Sequence, residues 1–201
     1  MIGMIVTLIL RLCSTPENLS MHIAIFTTIF GTILLGFADD MLDLPWRYKL
    51  LYPFFIVLPL ACVYTGISHV EVIAPFSWVL GERLELSYVY LLYITLLGIY
   101  QTNTINIYAG INGLEVGQSI VAAFGMLLYF FISTNITGNS DKYIYSTYLL
   151  VTFLGSTVAL MRFNAYPASI FIGDTFCYFA GIVLAIAAIW GTSYSIKEKF
   201  L

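Results

Sequence analysis

Six apolar runs dominate the 201-residue sequence, at 21–38, 50–66, 88–108, 116–133, 145–161 and 176–192. Each is roughly 17 to 21 residues long, close to the ~20 that carry a helix across a bilayer core. Lipid offers no partner to backbone N–H and C=O groups, so a spanning segment is a helix or part of a closed barrel. Barrel strands alternate apolar and polar residues, whereas Leu51 to Val63 is apolar on every side. The expected fold is therefore all-α, a polytopic transmembrane helical bundle of about six full spans. Met1 to Leu12 is apolar but short and lacks a basic start, which predicts a partial N-terminal span rather than a signal peptide. A hydrophobic content of 60%, a charged content of 9% and a mean hydropathy of +0.93 make the lipid bilayer the chain's main partner. The net charge of -3, without clustered Lys or Arg, argues against nucleic acid. Cys13, Cys62 and Cys177 lie in or beside apolar runs and read as small buried hydrophobes.

Between the runs, 67–87 alternates polar and apolar residues (Val70-Glu71-Val72-Ile73, Arg83-Leu84-Glu85-Leu86), allowing a small β-hairpin. The stretch 134–144 has the composition of a loop. Each crossing moves the chain to the other side of the membrane, and two bring it back. By that parity Asp39-Asp40, then Asn103 to Asn106 with the Gly-rich stretch after Ala109, then Gly173-Asp174-Thr175 all arrive at one face. Three polar clusters far apart in sequence thus meet as one candidate site. His22 and His69 fall on the opposite face.

Asp39, Asp40 and Asp43 stand within about one turn in a chain poor in acids. Charges near lipid cost several kcal/mol unless partnered, and hard oxygens at this density suit Mg²⁺ or a phosphate-bound metal. Lys49 is the nearby cation placed to neutralise them or hold a diphosphate, with Arg47 equally readable as an interfacial anchor. Trp46 is either an interface anchor or a substrate contact. Asn103 and Asn106, three apart on one helical face, could bind metal or phosphate, or bond between helices. Gly110, Gly113 and Gly117 permit a tight turn near a phosphate; Glu115 beside them caps a helix or meets substrate. Asp174 sits where an N-cap is expected. Phe171 could stack on a flat ring or simply pack.

At these residues the chain resembles the polyprenyl-phosphate N-acetylhexosamine-1-phosphate transferases, in particular their eukaryotic, dolichyl-phosphate-using branch. The matching blocks are Gly36-Phe37-Ala38-Asp39-Asp40, Leu44-Pro45-Trp46-Arg47-Tyr48-Lys49, Asn103-Thr104-Ile105-Asn106 with Ala109 to Glu115, and Phe171 to Gly181. The resemblance implies a single transmembrane transferase domain over 1–201, the central part of a family fold with further spans at both ends. It implies that Asn106 and Asp174 ligate Mg²⁺, that Lys49 contacts the diphosphate of UDP-GlcNAc, and that Phe171 and Asn112 hold uracil. Asp39 and Asp40 would act on or near the phosphate of dolichyl phosphate, with Asp39 the base. It also implies the endoplasmic reticulum membrane with the site facing the cytosol, and allows a homodimer. Alternatives are an undecaprenyl-phosphate transferase, an inactive homologue and a transporter, whose sites lie nearer the midplane.

Overall fold

The computed structural model describes residues 19–64, 69–72, 78, 81, 83–86, 88–138 and 143–193. All six apolar runs are helical: α1 (Leu19–Leu42), α2 (Trp46–Val63), α3 (Tyr88–Ile107), α4 (Leu114–Thr137), α5 (Ile144–Asn164) and α6 (Asp174–Ser193). Five of them are long and apolar enough to cross a membrane on their own. The exception, α3, ends in the polar stretch Gln101 to Asn106 and packs on α2 and α6. Between α2 and α3, β1 (His69–Glu71) pairs antiparallel with β2 (Arg83–Glu85) in the register His69 to Glu85. This is the hairpin that the alternation allowed. The expected partial span at Met1 to Leu12 lies outside the described residues. The chain is a multi-pass membrane protein.

The last helix is the hub. In α6, 78% of the spanning window is buried, against 11% in α4, and α6 packs on α1, α3, α4 and α5. Lipid supplies no hydrophobic force between helices, so close packing and small residues hold such a bundle together. Gly181 shows this directly, since a Cβ there would stand 2.1 Å from the Gln101 carbonyl oxygen of α3. Likewise a Cβ on Gly36 of α1 would stand 2.6 Å from Thr175 Cα. Two glycines on different helices thus bring α1 and α3 against the backbone of α6.

Several boundaries differ from the sequence reading. Asp39 and Asp40 lie in the last turn of α1 and not in a connector, which shrinks to 43–45. Asp43 ends that helix in the left-handed region (φ 45°) with its N–H on the Asp39 carbonyl at 2.9 Å. At 134–137 the expected loop is helix. Asn135 and Thr137 bond back to the carbonyls of Phe131 and Ser133, and the stop comes from left-handed Gly138, whose N–H bonds Thr134 at 2.9 Å. Gly117 is helical as well, so the turn before α4 uses only Gly110 and Gly113, with φ of 133° and 85°.

These packing distances make a stability prediction. Gly181→Ala is expected to lose about 1–3 kcal/mol by overpacking against α3. Gly155→Ala, where a Cβ meets nothing within 4 Å, should gain about 0.5–1 kcal/mol because helical Gly is unfavourable. Thermal unfolding of the two variants in detergent, compared with the parent chain, reads the difference.

Candidate active site

The three polar clusters do meet, at the shared end of α1, α2, α3 and α6. Asp39 is buried, and both of its carboxylate oxygens are engaged. Oδ1 accepts the Leu44 N–H at 3.0 Å and pairs with Lys49 Nζ at 3.0 Å, while Oδ2 accepts the Tyr178 hydroxyl at 2.7 Å. Lys49 also faces Asp174 Oδ2 at 3.7 Å, so its ammonium stands between two carboxylates from different helices. A buried carboxylate is tolerable only with such partners. Removing one partner of a buried pair costs about 3–5 kcal/mol.

Exposure separates the three groups. The side chain of Asp39 is 0% exposed, that of Lys49 15% and that of Asp174 25%. Lys49 and Asp174 can therefore meet a ligand, whereas Asp39 holds them from behind. Asn106 approaches the same group from α3, within electrostatic reach of the Tyr178 hydroxyl. Asn103 is buried deeper. Its amide N–H bonds the Ile99 carbonyl at 2.8 Å and approaches the Lys49 carbonyl at 3.5 Å, which ties α3 to the turn bearing Lys49. It is an interhelical contact, the plainer of the two sequence readings, with its Oδ1 left unpaired.

Asp40 points elsewhere. Its Oδ1 accepts the Asp174 N–H at 2.7 Å, and its Oδ2 accepts the Thr175 N–H at 3.0 Å and the Thr175 hydroxyl. The cap of α6 thus comes from α1, and Asp174 is the first helical residue rather than the cap itself. That leaves the Asp174 carboxylate turned to Lys49 and Asp39 rather than to the amides of its own helix.

The remaining candidates form a rim. Glu115 bonds back to the Gly110 N–H at 2.9 Å and closes the 108–113 turn, whereas α4 itself has no side-chain cap, so the capping role expected of Glu115 is replaced by a turn-closing one. Asn112 and Phe171 are exposed, Phe171 at 88%, on two neighbouring loops. Asn164, at the end of α5, holds both loops: its Oδ1 accepts the Gly113 N–H at 3.0 Å and its amide donates to the Ile170 carbonyl at 3.1 Å. Trp46 is 55% exposed at the start of α2, and Arg47 lies over the Tyr48 ring at 5.0 Å, both facing outward as interfacial anchors do. Tyr178 and Asn164 escaped the sequence reading, which placed Thr175 in the Asp174 cluster without a role of its own. Tyr178 does follow Asp174 at four positions, the spacing of a shared helical face, and Asn164 is a lone amide at the end of an apolar run.

The donor set suits a hard divalent cation. Asp174 and Asn106 offer oxygen from two helices. Among the described residues no three His, Cys, Asp or Glu side chains gather into a closed cage. Mg²⁺ characteristically takes one or two protein ligands and completes its shell with phosphate oxygens and water.

The model of glycosyl transferase family 4 matches residues 22–192. The chain is 39% identical over 197 residues to the UDP-N-acetylglucosamine–dolichyl-phosphate N-acetylglucosaminephosphotransferase of Dictyostelium discoideum, covering 88% of this chain and 48% of that protein. It is 40% identical over 183 residues to the same-named protein of Saccharomyces cerevisiae, covering 87% of this chain and 40% of that one. A phospho-N-acetylmuramoyl-pentapeptide-transferase of Borreliella afzelii is 29% identical over 184 residues, covering 80% and 50%. The chain spans about half the length of the curated relatives it matches or less. The family match extends across all six helices and takes in every site residue described above, and the chain belongs to glycosyl transferase family 4.

Proposed function

We propose that this chain transfers GlcNAc-1-phosphate from UDP-GlcNAc to dolichyl phosphate, giving GlcNAc-diphosphodolichol and UMP, the first step of dolichol-linked oligosaccharide synthesis for protein N-glycosylation. The observation that carries the reading is the pairing of Lys49 with Asp39 and Asp174 at the bundle end. A cation between two carboxylates, beside hard oxygens that reach solvent, is what a metal-bound diphosphate at a membrane surface requires. The names of the eukaryotic relatives supply the substrates. UDP-GlcNAc is a cytosolic compound, so the site end of the bundle would face the cytosol of the endoplasmic reticulum membrane.

An oxygen of the lipid phosphate attacks the β-phosphorus, forming a new P–O bond. The bond from that phosphorus to the bridging oxygen breaks, and UMP leaves with that oxygen and its electron pair. Charge balances with the lipid phosphate as a dianion, its usual form above a second pKa of about 6, and no proton has to move. Asp39, closed in by three partners, is thereby spared the role of base and serves to hold Lys49 and Tyr178. Lys49 draws the diphosphate to the carboxylate end of the site. Asp174 and Asn106 would hold Mg²⁺, which would supply neutralisation of the diphosphate and of the leaving oxygen. Asn112 and Phe171 on the rim would meet the uracil.

Two measurements bear on this. Membranes containing the chain should release UMP from UDP-GlcNAc only with dolichyl phosphate and Mg²⁺, and Asp174→Ala should lower turnover by more than about 100-fold, beyond the loss seen for outer-shell partners of metals. Unchanged turnover in that variant would sink the metal assignment. Asn164→Ala should raise KM for UDP-GlcNAc by about 5- to 10-fold with kcat little changed, the effect of freeing loops held by hydrogen bonds worth ~1 kcal/mol; steady-state kinetics in nucleotide checks it.

A further inference from the structure

Asp40 stands beside Asp39 in sequence, but the two carboxylates turn to different parts of α6. Asp39 reaches one turn into the helix, to Tyr178. Asp40 takes the first two amides, those of Asp174 and Thr175, and the Thr175 hydroxyl. The first amides of a helix have no intrahelical acceptor, and a carboxylate there is favoured by the helix dipole. In α6 the residue before the helix is Gly173, which has no side chain to cap it. A Cβ at Gly173 would stand 2.6 Å from Asp40 Oδ1, so the cap from α1 occupies the space a local cap would use. Gly36, one turn before Asp40, lets α1 lie directly against Thr175. The four residues Gly36, Asp40, Gly173 and Thr175 thus form one joint between the end of α1 and the start of α6.

Accordingly, and resting on the transferase reading above, we propose that Asp40 is a positioning residue for Asp174 and not a group that acts on the lipid phosphate. Both of its oxygens are committed to donors on α6. The residue whose backbone it fixes is the one whose carboxylate reaches solvent and faces Lys49. A rotation of the first turn of α6 would carry Asp174 away from Lys49. Thr175 acts through the same joint, its hydroxyl and amide both on Asp40 Oδ2. Adjacent acidic residues in this chain therefore divide the work: Asp39 gathers Lys49 and Tyr178, and Asp40 sets where Asp174 begins.

The test uses Asp40→Asn, Thr175→Val and the double variant. Amide hydrogen exchange of the full chain in lipid nanodiscs, without metal or substrate, reads the joint itself. Asp40→Asn presents an NH₂ where Thr175 needs an acceptor, so exchange at Thr175 should speed up at least ten-fold while amides in the middle of α6 keep their rates. In transfer assays each single variant should need more Mg²⁺ for half-maximal turnover, and raised Mg²⁺ should restore most of the rate. The double variant should lose at least three-fold less than the product of the single losses, because both substitutions break one joint. Thr175→Ser, which keeps the hydroxyl, should behave as the parent chain. Unchanged exchange at Asp174 and Thr175 in Asp40→Asn would overturn the proposal, as would a loss that Mg²⁺ leaves untouched together with multiplicative effects of the two substitutions. If the chain transferred nothing from UDP-GlcNAc, the transferase reading would fail, and the exchange rates would still decide whether Asp40 anchors α6.

Discussion

The site hangs on the ion pair between Lys49 and the buried Asp39. A carboxylate with 0% exposure at the end of an apolar helix is stable only if its charge is matched, and Lys49 matches it from α2. Tyr178 from α6 completes the shell, and Asn103 from α3 approaches the Lys49 carbonyl at 3.5 Å. Four helices therefore converge because one buried charge needs partners. What reaches solvent at that junction, Asp174 and Lys49, is what can bind a ligand.

The packing of α6 gives the junction its stiffness. Glycines at 36 and 181 let α1 and α3 touch its backbone, leaving no side-chain layer that could shift. Around this core α4 and α5 form a pair whose site-side ends carry the rim. Asn164 fixes both rim loops with two hydrogen bonds and leaves Asn112 and Phe171 outward. The molecule thus has a tight charged centre and an exposed rim held in place by Asn164.

Much of this was legible in the sequence, for reasons that particular residues make plain. Asp39, Lys49 and Asp174 stood out because charge is scarce here, and parity placed them on one face before any contact was known. The hairpin followed from alternation at 70–73 and 83–86. What stayed hidden depends on direction and depth. Nothing in the dipeptide says that Asp39 is buried and Asp40 turned to another helix's amides. Tyr178 is one of fifteen tyrosines, and only its hydroxyl's distance to Asp39 distinguishes it from packing. Composition also misled at 134–137, where Asn and Thr bond back into their own helix and Gly138 sets the end.

On the proposed reaction, Asp174 and Asn106 would be the seat of a divalent ion, with Asp39 and Asp40 as its supports. Anomalous scattering from Mn²⁺ in place of Mg²⁺, in crystals of the chain with UDP-GlcNAc, tests this most directly. The expected result is a single peak at about 2.1 Å from oxygens of Asp174 and Asn106, the distance of a small hard cation to its ligands, with Lys49 on the diphosphate. A peak between Asp39 and Asp40, with Asp174 unligated, would contradict it.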